Sequence, residues 1–388
     1  MSSERFSLSY PSRIRFGCGV RRELPELLAD VLRGAKPAVF LVTTRQVAGD
    51  PKWLKEFRVL CGGSLAGLAS GIPHDPSLEA VDRLVELVRG SGANAVVAIG
   101  GGSVLDAAKA AAVLVPLNES VRPYYDGKKS LPGPGLPLLA LPTTAGTGAE
   151  ITNNAVLSDV AAGVKKSLRS PFMIAAAALV DPELTFTAPP ELVAWSGLDA
   201  LTQAVESYLS RMANDATRPL AAAATAKLLR HLPAAVCGEA VEMRAARAEV
   251  AAGSLLSAMA FSQSSLGAVH GLAHPLGLHL GLAHGLTCAI LLPHILRLNA
   301  PVCGERLAEL AAVALPGQGA GADDFVAAVE ALCRILRVPA DFAAAGLTPA
   351  HFPKILETCR SASMKANPRD LTDAEIQELL HRMMVARA

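Results

Sequence analysis

Two stretches of the sequence carry side chains that could hold a divalent metal ion. GLDALTQAVE places Asp199 and Gln203 one helical turn apart. VHGLAHPLGLHLGLAHG places His270 and His274 in the same relation, ahead of His284. Residues four apart share one face of a helix. If the two faces converge, oxygen and nitrogen ligands could bind a metal and leave a position for substrate, as a Lewis-acid site requires.

Glycine-rich turns follow two apolar runs in the first half of the chain. AIGGGSVLDAAKA puts Gly101, Gly102 and Ser103 between a predicted strand and a helix, where free backbone amides can bind phosphate. A second turn, LPTTAGTGAE, adds the hydroxyl groups of Thr143, Thr144 and Thr147. Neither turn has the GxGxxG pattern, but two such turns after strands of one sheet predict a bound dinucleotide.

Four more residues could affect how the cofactor binds and which cofactor is used. Asp106 and Lys109 follow the glycines on the predicted helix, and we predict a supporting role for one or both, the alternative being an exposed polar pair. The early strand ends in LVTTRQ, where an acidic residue would hold the ribose hydroxyls and repel a 2′-phosphate. Thr44 cannot exclude a phosphate and Arg45 could attract one, so both NAD and NADP stay open.

A parallel sheet followed by helices is the framework that the sequence predicts for these residues. Apolar runs in the first half, KPAVFLVTT, ANAVVAIGGG and LPLLALPTT, alternate with helical stretches such as LEAVDRLVELVRGSG. This alternation predicts a parallel α/β sheet. After TAPPE, where two prolines interrupt the chain, the clear patterns are helical. We therefore predict an α/β domain over residues 1–187 and an all-α domain over residues 188–388.

Composition limits the kinds of partner. The 388 residues are 51% hydrophobic and 18% charged, enough for a large core and about two domains. A balance of 36 basic against 35 acidic residues gives no reason to expect nucleic acid or a membrane as partner. The N-terminus lacks the apolar core of a signal peptide, and no long uninterrupted apolar run predicts a membrane span. We expect a cytoplasmic protein that acts on a small molecule.

The seven cysteines are scattered without CxxC spacing. This argues against both a disulfide framework and a zinc-thiolate cluster. We expect most of them to be small buried hydrophobic residues.

Several motifs together resemble the iron-containing (group III) alcohol dehydrogenase family, in the superfamily that also holds glycerol dehydrogenase and dehydroquinate synthase. They are GGGSVLDAAK, LPTTAGTGAEIT, VDPELT, GLDALTQAVE, VHGLAHPLG followed by AHG, and ANPR. The resemblance covers nearly the whole chain. It implies an N-terminal nucleotide-binding domain with a parallel sheet and an all-α C-terminal domain, with the active site in the interdomain cleft.

The resemblance also implies roles for individual residues. It places the pyrophosphate at Gly101, Gly102 and Ser103, and the rest of the cofactor near Thr143, Thr144, Thr147, Lys165 and Leu184. Thr44 and Asp106 complete the cofactor site that we predict. The implied metal ligands are Asp199, Gln203, His270 and His284. His274 is the implied non-ligand histidine beside the nicotinamide, a catalytic candidate for positioning or proton relay. Homodimers or larger homo-oligomers are also implied.

The sequence departs from the family pattern at four positions. The family commonly has His, Asp, Asn and Pro where this chain has Gln203, Thr44, Cys288 and Ala175. An amide oxygen is a weaker ligand than imidazole for Fe²⁺ or Zn²⁺, so we expect lower metal affinity. Because Asp199 is kept, we predict a metal-dependent NAD(P) alcohol dehydrogenase or aldehyde reductase that uses Fe²⁺, with Zn²⁺ as the alternative metal.

Two other functions stay open at this stage. One is a metal-independent reductase resembling the maleylacetate reductases, with Gln203 as the mark of a lost metal site. In those relatives the aspartate of the motif is typically replaced as well. The other is a lyase like dehydroquinate synthase, which needs a basic lining for a substrate phosphate and carboxylate. The sequence offers Lys165, Lys166 and Arg169 together but no wider basic cluster.

Overall fold

The described residues form two compact units. A computed structural model describes residues 5–63, 65–317 and 321–384. The N-terminal unit comprises Tyr10–Thr144 and Gly148–Thr187. The C-terminal unit comprises residues 188–384 with the short segments 5–9 and 145–147.

A six-stranded parallel sheet organises the N-terminal unit. The strands are β1 (Ile14–Phe16), β2 (Val39–Thr43), β3 (Leu65–Ser70), β4 (Ala95–Gly100), β5 (Leu138–Pro142), β6 (Asn154–Asp159), β7 (Val164–Arg169) and β8 (Ala177–Val180). Their order in the sheet is β1-β8-β5-β4-β2-β3, and every neighbouring pair is parallel. β6 and β7 form a separate antiparallel hairpin.

Helices cover both faces of this sheet. They are α1 (Leu24–Val31), α2 (Arg45–Gly49), α3 (Pro51–Leu60), α4 (Leu78–Gly90), α5 (Gly102–Leu114) and α6 (Arg122–Tyr125), with 3₁₀ turns at Val20–Glu23, Pro171–Met173 and Pro182–Thr185. In β2, Phe40 and Val42 join the core cluster on one face, and Val39 and Leu41 join the cluster on the other. Successive side chains of a strand point to opposite faces, so strands buried on both sides are apolar throughout.

The predicted parallel sheet is confirmed, and it has more strands than the sequence patterns indicate. The three predicted strands are β2, β4 and β5, which are neighbours at the centre of the sheet. Two of the other strands, β1 and β3, lie at its edges, and β8 lies beside β1. β1 has only three residues, and β3 is half-exposed, so neither has the apolar run typical of a buried strand.

The described part of the C-terminal unit contains helices and no strand, which confirms the predicted all-α half. The helices are α7 (Pro190–Leu209), α8 (Thr217–Cys237), α9 (Ala240–Ser264), α10 (Ala268–Leu280), α11 (His284–Ala314), α12 (Ala322–Ile335), α13 (Phe352–Thr358), α14 (Ala362–Ala366) and α15 (Asp373–Arg382), with a 3₁₀ turn at Pro349–His351. α7 packs against α8, α9 and α11. Its residues 197–209 are all buried, so α7 is the central helix of this unit.

One described helix, α11, is long and apolar enough to cross a membrane. Within its most apolar stretch, 56% is buried inside the protein. The helix also contains Pro293 and Pro301 and loses helical geometry at Cys303. Long core helices satisfy the same criteria, so length and composition alone do not make α11 a membrane span.

Candidate metal and cofactor sites

Helix α7 carries a buried polar face beside α10 and α11. Asp199, Gln203 and Glu206 lie four and three residues apart, so they project from one side of the helix, and all three are buried. Nε2 of Gln203 donates to Oδ2 of Asp199 at 3.1 Å. Oδ1 of Asp199 and Oε1 of Gln203 accept no hydrogen bond from the described residues. Each buried acceptor without a donor costs about 1–3 kcal/mol, so the two atoms indicate a place for a cation.

Two histidines converge on Asp199 from the neighbouring helices. Nε2 of His270, on α10, lies 3.3 Å from Oδ1 of Asp199. Nε2 of His284, at the start of α11, lies 3.7 Å from the same oxygen. His270 is buried, whereas 23% of the His284 side chain is exposed. The fold thus brings three of the predicted ligands together around one buried oxygen and leaves one side open.

Glu206 orients the ring of His270. One carboxylate oxygen lies 2.6 Å from Nδ1 of His270, and the other accepts the backbone N–H of Val269 at 2.6 Å. Because a carboxylate accepts the hydrogen bond from Nδ1–H, Nε2 is the ring nitrogen that faces Asp199 and is available to bind a metal. Carboxylates hold metal-binding histidines in this way in many metalloproteins. The sequence prediction missed Glu206, although its position seven residues after Asp199 places it on the same helical face.

A further potential ligand, Cys288, lies one helical turn after His284. Its Sγ is 3.7 Å from Nε2 of His284 and 3.9 Å from Nε2 of His270. One ligand atom from each of Asp199, His270, His284 and Cys288 lies within 4.8 Å of all the others. The sequence prediction missed this thiol as well, although its spacing of four from His284 was a signal.

The distances among these atoms fit a divalent metal. In a tetrahedral zinc site with metal–ligand bonds of about 2.0–2.3 Å, neighbouring N and O ligands are about 3.3 Å apart and N and S ligands about 3.6 Å apart. The observed N–O distances are 3.3 and 3.7 Å, and the observed N–S distances are 3.7 and 3.9 Å. Carboxylate, imidazole and thiol side chains are all ligands of first-row divalent metals.

The charges of this cluster are strongly coupled. Burial opposes the charged form of Asp199, but His284 and His270 outweigh it and lower the pKa of the carboxyl. Burial also opposes protonation of His270, but Cys288, Glu206 and Asp199 raise the pKa of its imidazole well above the usual value. Burial raises the pKa of the Cys288 thiol to about 12. A metal would therefore displace protons from its ligands on binding.

Two small structural features hold the ligand helices in place. Gly285 lets α11 approach α7 closely, since a Cβ at this position would lie only 2.2 Å from the carbonyl oxygen of Trp195. Asn367, in the ANPR motif, accepts the backbone N–H of Ala268 at 3.2 Å and so caps α10. Its amide also exchanges two hydrogen bonds with the amide of Asn299, at 2.9 and 3.0 Å.

His274 lies beside this cluster, on the next turn of α10 after His270. Its ring stacks on that of His284 at a centroid distance of 5.0 Å and an angle of 17°. The side chain is half-buried. This position, next to the proposed ligands and nearer to solvent than His270, agrees with a role other than metal binding.

In the N-terminal unit, the two glycine- and threonine-containing turns meet at the carboxyl ends of β4 and β5. Gly101 precedes the first turn of α5, and no side chain caps that helix end. The backbone N–H of Thr143 donates to the carbonyl oxygen of Gly100 at 3.0 Å. A Cβ on Gly101 would contact Thr144 at 3.4 Å. A helix start with free amides at a sheet edge suits a phosphate group. Thr147 groups with the C-terminal unit.

Asp75 links Ser103 to Lys165. Its backbone N–H donates to Oγ of Ser103 at 3.3 Å, and its carboxylate binds the ammonium group of Lys165 at 2.6 Å. Burial opposes the charge of Asp75, but His74 and Lys165 outweigh it and lower the pKa of the carboxyl. Lys165, on β7, is therefore connected through Asp75 alone to Ser103, in the first turn of α5.

Asp106 and Lys109 are buried rather than exposed. The ammonium group of Lys109 lies 3.0 Å from the Asp106 carboxylate and donates to Oγ1 of Thr152 at 3.1 Å and to the carbonyl oxygen of Asn154. The carboxylate accepts the backbone N–H of Val156 at 2.9 Å. The contacts with Asn154 and Val156 attach β6 to α5, which gives the pair a structural role behind the glycine turn.

The two remaining predicted cofactor residues lie at other strand ends. Thr44 follows β2 and caps α2, accepting the backbone N–H of Val47 at 3.1 Å. Leu184 lies in the 3₁₀ turn after β8 and is buried in the core cluster that also holds Leu141. Both β2 and β8 end at the edge of the sheet where β4 ends, because the strands are parallel.

The chain is similar to known protein families and to individual proteins. A family model described as "Iron-containing alcohol dehydrogenase" matches residues 11–182. A second, "Fe-containing alcohol dehydrogenase family, C-terminal", matches residues 193–384.

Individual proteins are similar over most of their length. A probable alcohol dehydrogenase, EutG, of Salmonella typhimurium is 37% identical over 79% of this chain and 77% of its own. Lactaldehyde reductase of Escherichia coli is 35% identical over 81% of this chain and 85% of its own. The crystal structure of sulfoacetaldehyde reductase from Bifidobacterium kashiwanohense in complex with NAD+ has a TM-score of 0.91 at 27% identity, covering 99% of this chain and 100% of that one.

Proposed function

We propose, because the chain belongs to the iron-containing alcohol dehydrogenase family, that it uses a divalent metal and NAD or NADP to interconvert a small alcohol and its aldehyde. It is an oxidoreductase that acts on CH–OH groups. The observation that carries metal dependence is the convergence of His270 and His284 on Oδ1 of Asp199, a buried acceptor that has no donor among the described residues.

Asp199, His270 and His284 are the residues that we assign to the metal. A divalent metal bound there would act as a Lewis acid on the substrate oxygen, and a bound nicotinamide would exchange hydride with the substrate carbon. Glu206 keeps the proton of His270 on Nδ1, which leaves Nε2 able to bind the metal. The exposed part of His284 leaves one side of the cluster accessible to a small substrate.

His274 is the residue that we propose for proton transfer. Alcohol oxidation releases the hydroxyl proton, which must leave a largely buried site. Histidine can accept and release a proton near neutral pH. His274 stacks on His284 and is half-buried, so it can pass the proton towards water.

The start of α5 is where we propose that the cofactor phosphates bind. The amides after Gly101 have no capping side chain, and Ser103 and Lys165 are held nearby through Asp75. At the end of β2, Thr44 is neutral and Arg45 follows it, so the site accepts a 2′-phosphate or a free ribose hydroxyl. We therefore propose that residues 1–187 form a dinucleotide-binding domain and that residues 188–388 form a domain that binds the metal and the substrate.

The substrate, the cellular location and the oligomeric state are part of the same proposal. The partner is a small alcohol or aldehyde, and we propose a cytoplasmic homodimer or larger homo-oligomer.

The test is nicotinamide turnover with a panel of small alcohols and aldehydes, before and after chelation and after metal is restored. We expect chelation to abolish turnover and metal to restore it. Asp199→Asn should lose activity and bound metal together, because it removes the charge at the centre of the cluster. The control Asp215→Asn changes an exposed carboxylate in the same unit and should retain both. Absence of turnover and of cofactor binding would refute the proposal.

A metal-independent reductase is the second candidate, favoured by Gln203, where the family commonly has His. In that case the histidines alone would stabilise the negative oxygen. Turnover that is unchanged by chelation, in protein shown by elemental analysis to hold no metal, would select this alternative.

A further inference from the structure

We propose that Cys288 is a metal ligand, so that a carboxylate, two imidazoles and a thiolate hold the metal: Asp199, His270, His284 and Cys288. The proposal rests on the metal-dependent function above and changes its ligand set. In place of a fourth ligand, Gln203 becomes a positioning residue that orients Asp199.

Geometry supports the thiolate. Sγ of Cys288 lies 3.7 and 3.9 Å from the two Nε2 atoms that also approach Asp199. These values are close to the separation of about 3.6 Å between N and S ligands on a tetrahedral metal. Cys288 follows His284 by four residues on α11, so one helical face supplies both ligands.

The amide of Gln203 is already engaged in another way. Its Nε2 donates at 3.1 Å to Oδ2 of Asp199, while the other carboxylate oxygen, Oδ1, is the one that faces the two histidines. The hydrogen bond to Oδ2 fixes the orientation of the carboxylate, so that Oδ1 stays directed at the two histidines. This is the arrangement of a residue that supports a ligand rather than replaces it.

A thiolate ligand changes the expected metal. Soft sulfur ligands favour Zn²⁺ over harder ions such as Mn²⁺ and Mg²⁺. Two imidazoles, a carboxylate and a thiolate form a donor set suited to Zn²⁺ or Co²⁺. We therefore expect the Cys288→Ser variant to lose more affinity for Zn²⁺ than for Mn²⁺.

Co²⁺ is the probe for the test. Metal is removed from the full-length protein by chelation, Co²⁺ is added, and the near-ultraviolet absorption is recorded without substrate or cofactor. A thiolate bound to Co²⁺ gives an intense charge-transfer band there, whereas oxygen and nitrogen ligands do not. We expect the band in the unmodified protein. Binding of one Co²⁺ per chain without the band overturns the proposal, and this result requires no variant protein.

Matched variants assign the band to one sulfur atom. Cys288→Ser should bind Co²⁺ without the band and should lose at least about tenfold in Zn²⁺ affinity. Cys333→Ser, which removes another buried thiol of the same unit, should keep both. Gln203→Leu should keep the band with affinity lowered about 10- to 100-fold. If Gln203→Leu abolishes metal binding while Cys288→Ser does not, the amide is the ligand and the proposal is wrong.

The outcome separates this proposal from the proposed function. Metal-dependent turnover of an alcohol by a protein that shows no band leaves the function standing and removes Cys288 from the ligand set. A band in a protein that turns over no alcohol or aldehyde keeps Cys288 as a ligand and refutes the function. A chain that binds neither Co²⁺ nor Zn²⁺ refutes the ligand assignment, and turnover then decides for the metal-independent reductase.

Discussion

Gly285→Ala should disrupt the metal site, because there is no space for a methyl group where the start of α11 meets α7. A Cβ at this position would lie 2.2 Å from the carbonyl oxygen of Trp195 and 2.8 Å from its carbonyl carbon. Ordinary contacts begin near 3.4 Å. Both atoms belong to the backbone, which cannot rotate away as a flexible side chain could. The two helices must separate by about 1 Å to accept the methyl group.

The expected magnitude follows from the position of His284, directly before this glycine. Its Nε2 is 3.7 Å from Oδ1 of Asp199, and a shift of about 1 Å takes this pair well beyond the edge length of a tetrahedral site, about 3.3 Å. Overpacking of this kind destabilises a protein by about 1–3 kcal/mol. A displacement of about 1 Å near the reacting groups can lower turnover by about 100-fold.

Gly304→Ala is the matched control, because Gly304 lies on the same helix with no atom within 4 Å of an added Cβ. We expect it to keep metal affinity and to gain up to about 1 kcal/mol, since alanine is the better helix former. Urea unfolding, chelator competition for bound metal and alcohol turnover measure the three effects. Equal stability and equal metal affinity in the two variants would refute the reasoning.

Three further changes test other parts of the structure. Glu206→Gln should weaken Zn²⁺ binding by about 10- to 100-fold, measured by titration of metal-free protein, because an amide can donate to Nδ1 of His270 and move the ring proton to Nε2. Thr44→Asp should lower kcat/KM for NADP relative to NAD by about tenfold, since a carboxylate repels the 2′-phosphate. Glu150→Gln should change the pH dependence of urea unfolding. Burial raises the pKa of Glu150 from 4.5 to about 7, so its protonated form stabilises the folded chain fully below pH 4.5, and about 3 kcal/mol of this is lost as the pH rises to 7.

Each of these changes has an outcome that contradicts it. Glu191→Gln makes the same substitution at an exposed position of α7, and a Glu206→Gln protein that binds Zn²⁺ as tightly as this control removes the orienting role. Thr44→Asn keeps the helix cap without the charge, so an equal cofactor preference in the Asn and Asp variants excludes electrostatic repulsion. For Glu150, parallel pH profiles of the variant and the unmodified protein would show that the carboxyl does not titrate in this range.

The framework was predictable from local patterns, whereas partners distant in the sequence were not. The run that forms β4 is apolar at every position because both of its faces are covered, and this marks a buried parallel strand. For Asp106 and Lys109, however, the pattern allowed a cofactor contact or an exposed pair. The structure buries them because β6, more than forty residues later, supplies hydrogen-bond partners for both. No pattern within one helix contains that information.

The candidate site shows the same limit. The family resemblance carried by the motifs around Asp199, His270 and His284 implied that these residues meet. Cys288 also has ligand spacing, but a lone thiol in an apolar helix is usually a small core residue, and only the packing of α11 on α7 shows its sulfur beside the histidines. The interpretation of Gln203 depends in a similar way on which oxygen of Asp199 its amide contacts.

The reciprocal amide pair between Asn299 and Asn367 has a consequence for the order of events during synthesis. Asn367 caps the helix that carries His270, yet it is made almost a hundred residues after that histidine. While the chain is still being translated, the ligand residues emerge with Glu206, which holds Val269, but without the contact that Asn367 makes at the start of α10. Domains generally fold as units, and this one is incomplete until Asn367 is present. We therefore expect the nascent chain to remain free of tightly held metal until residue 367 has left the ribosome, which makes metal acquisition a late step in the life of the polypeptide.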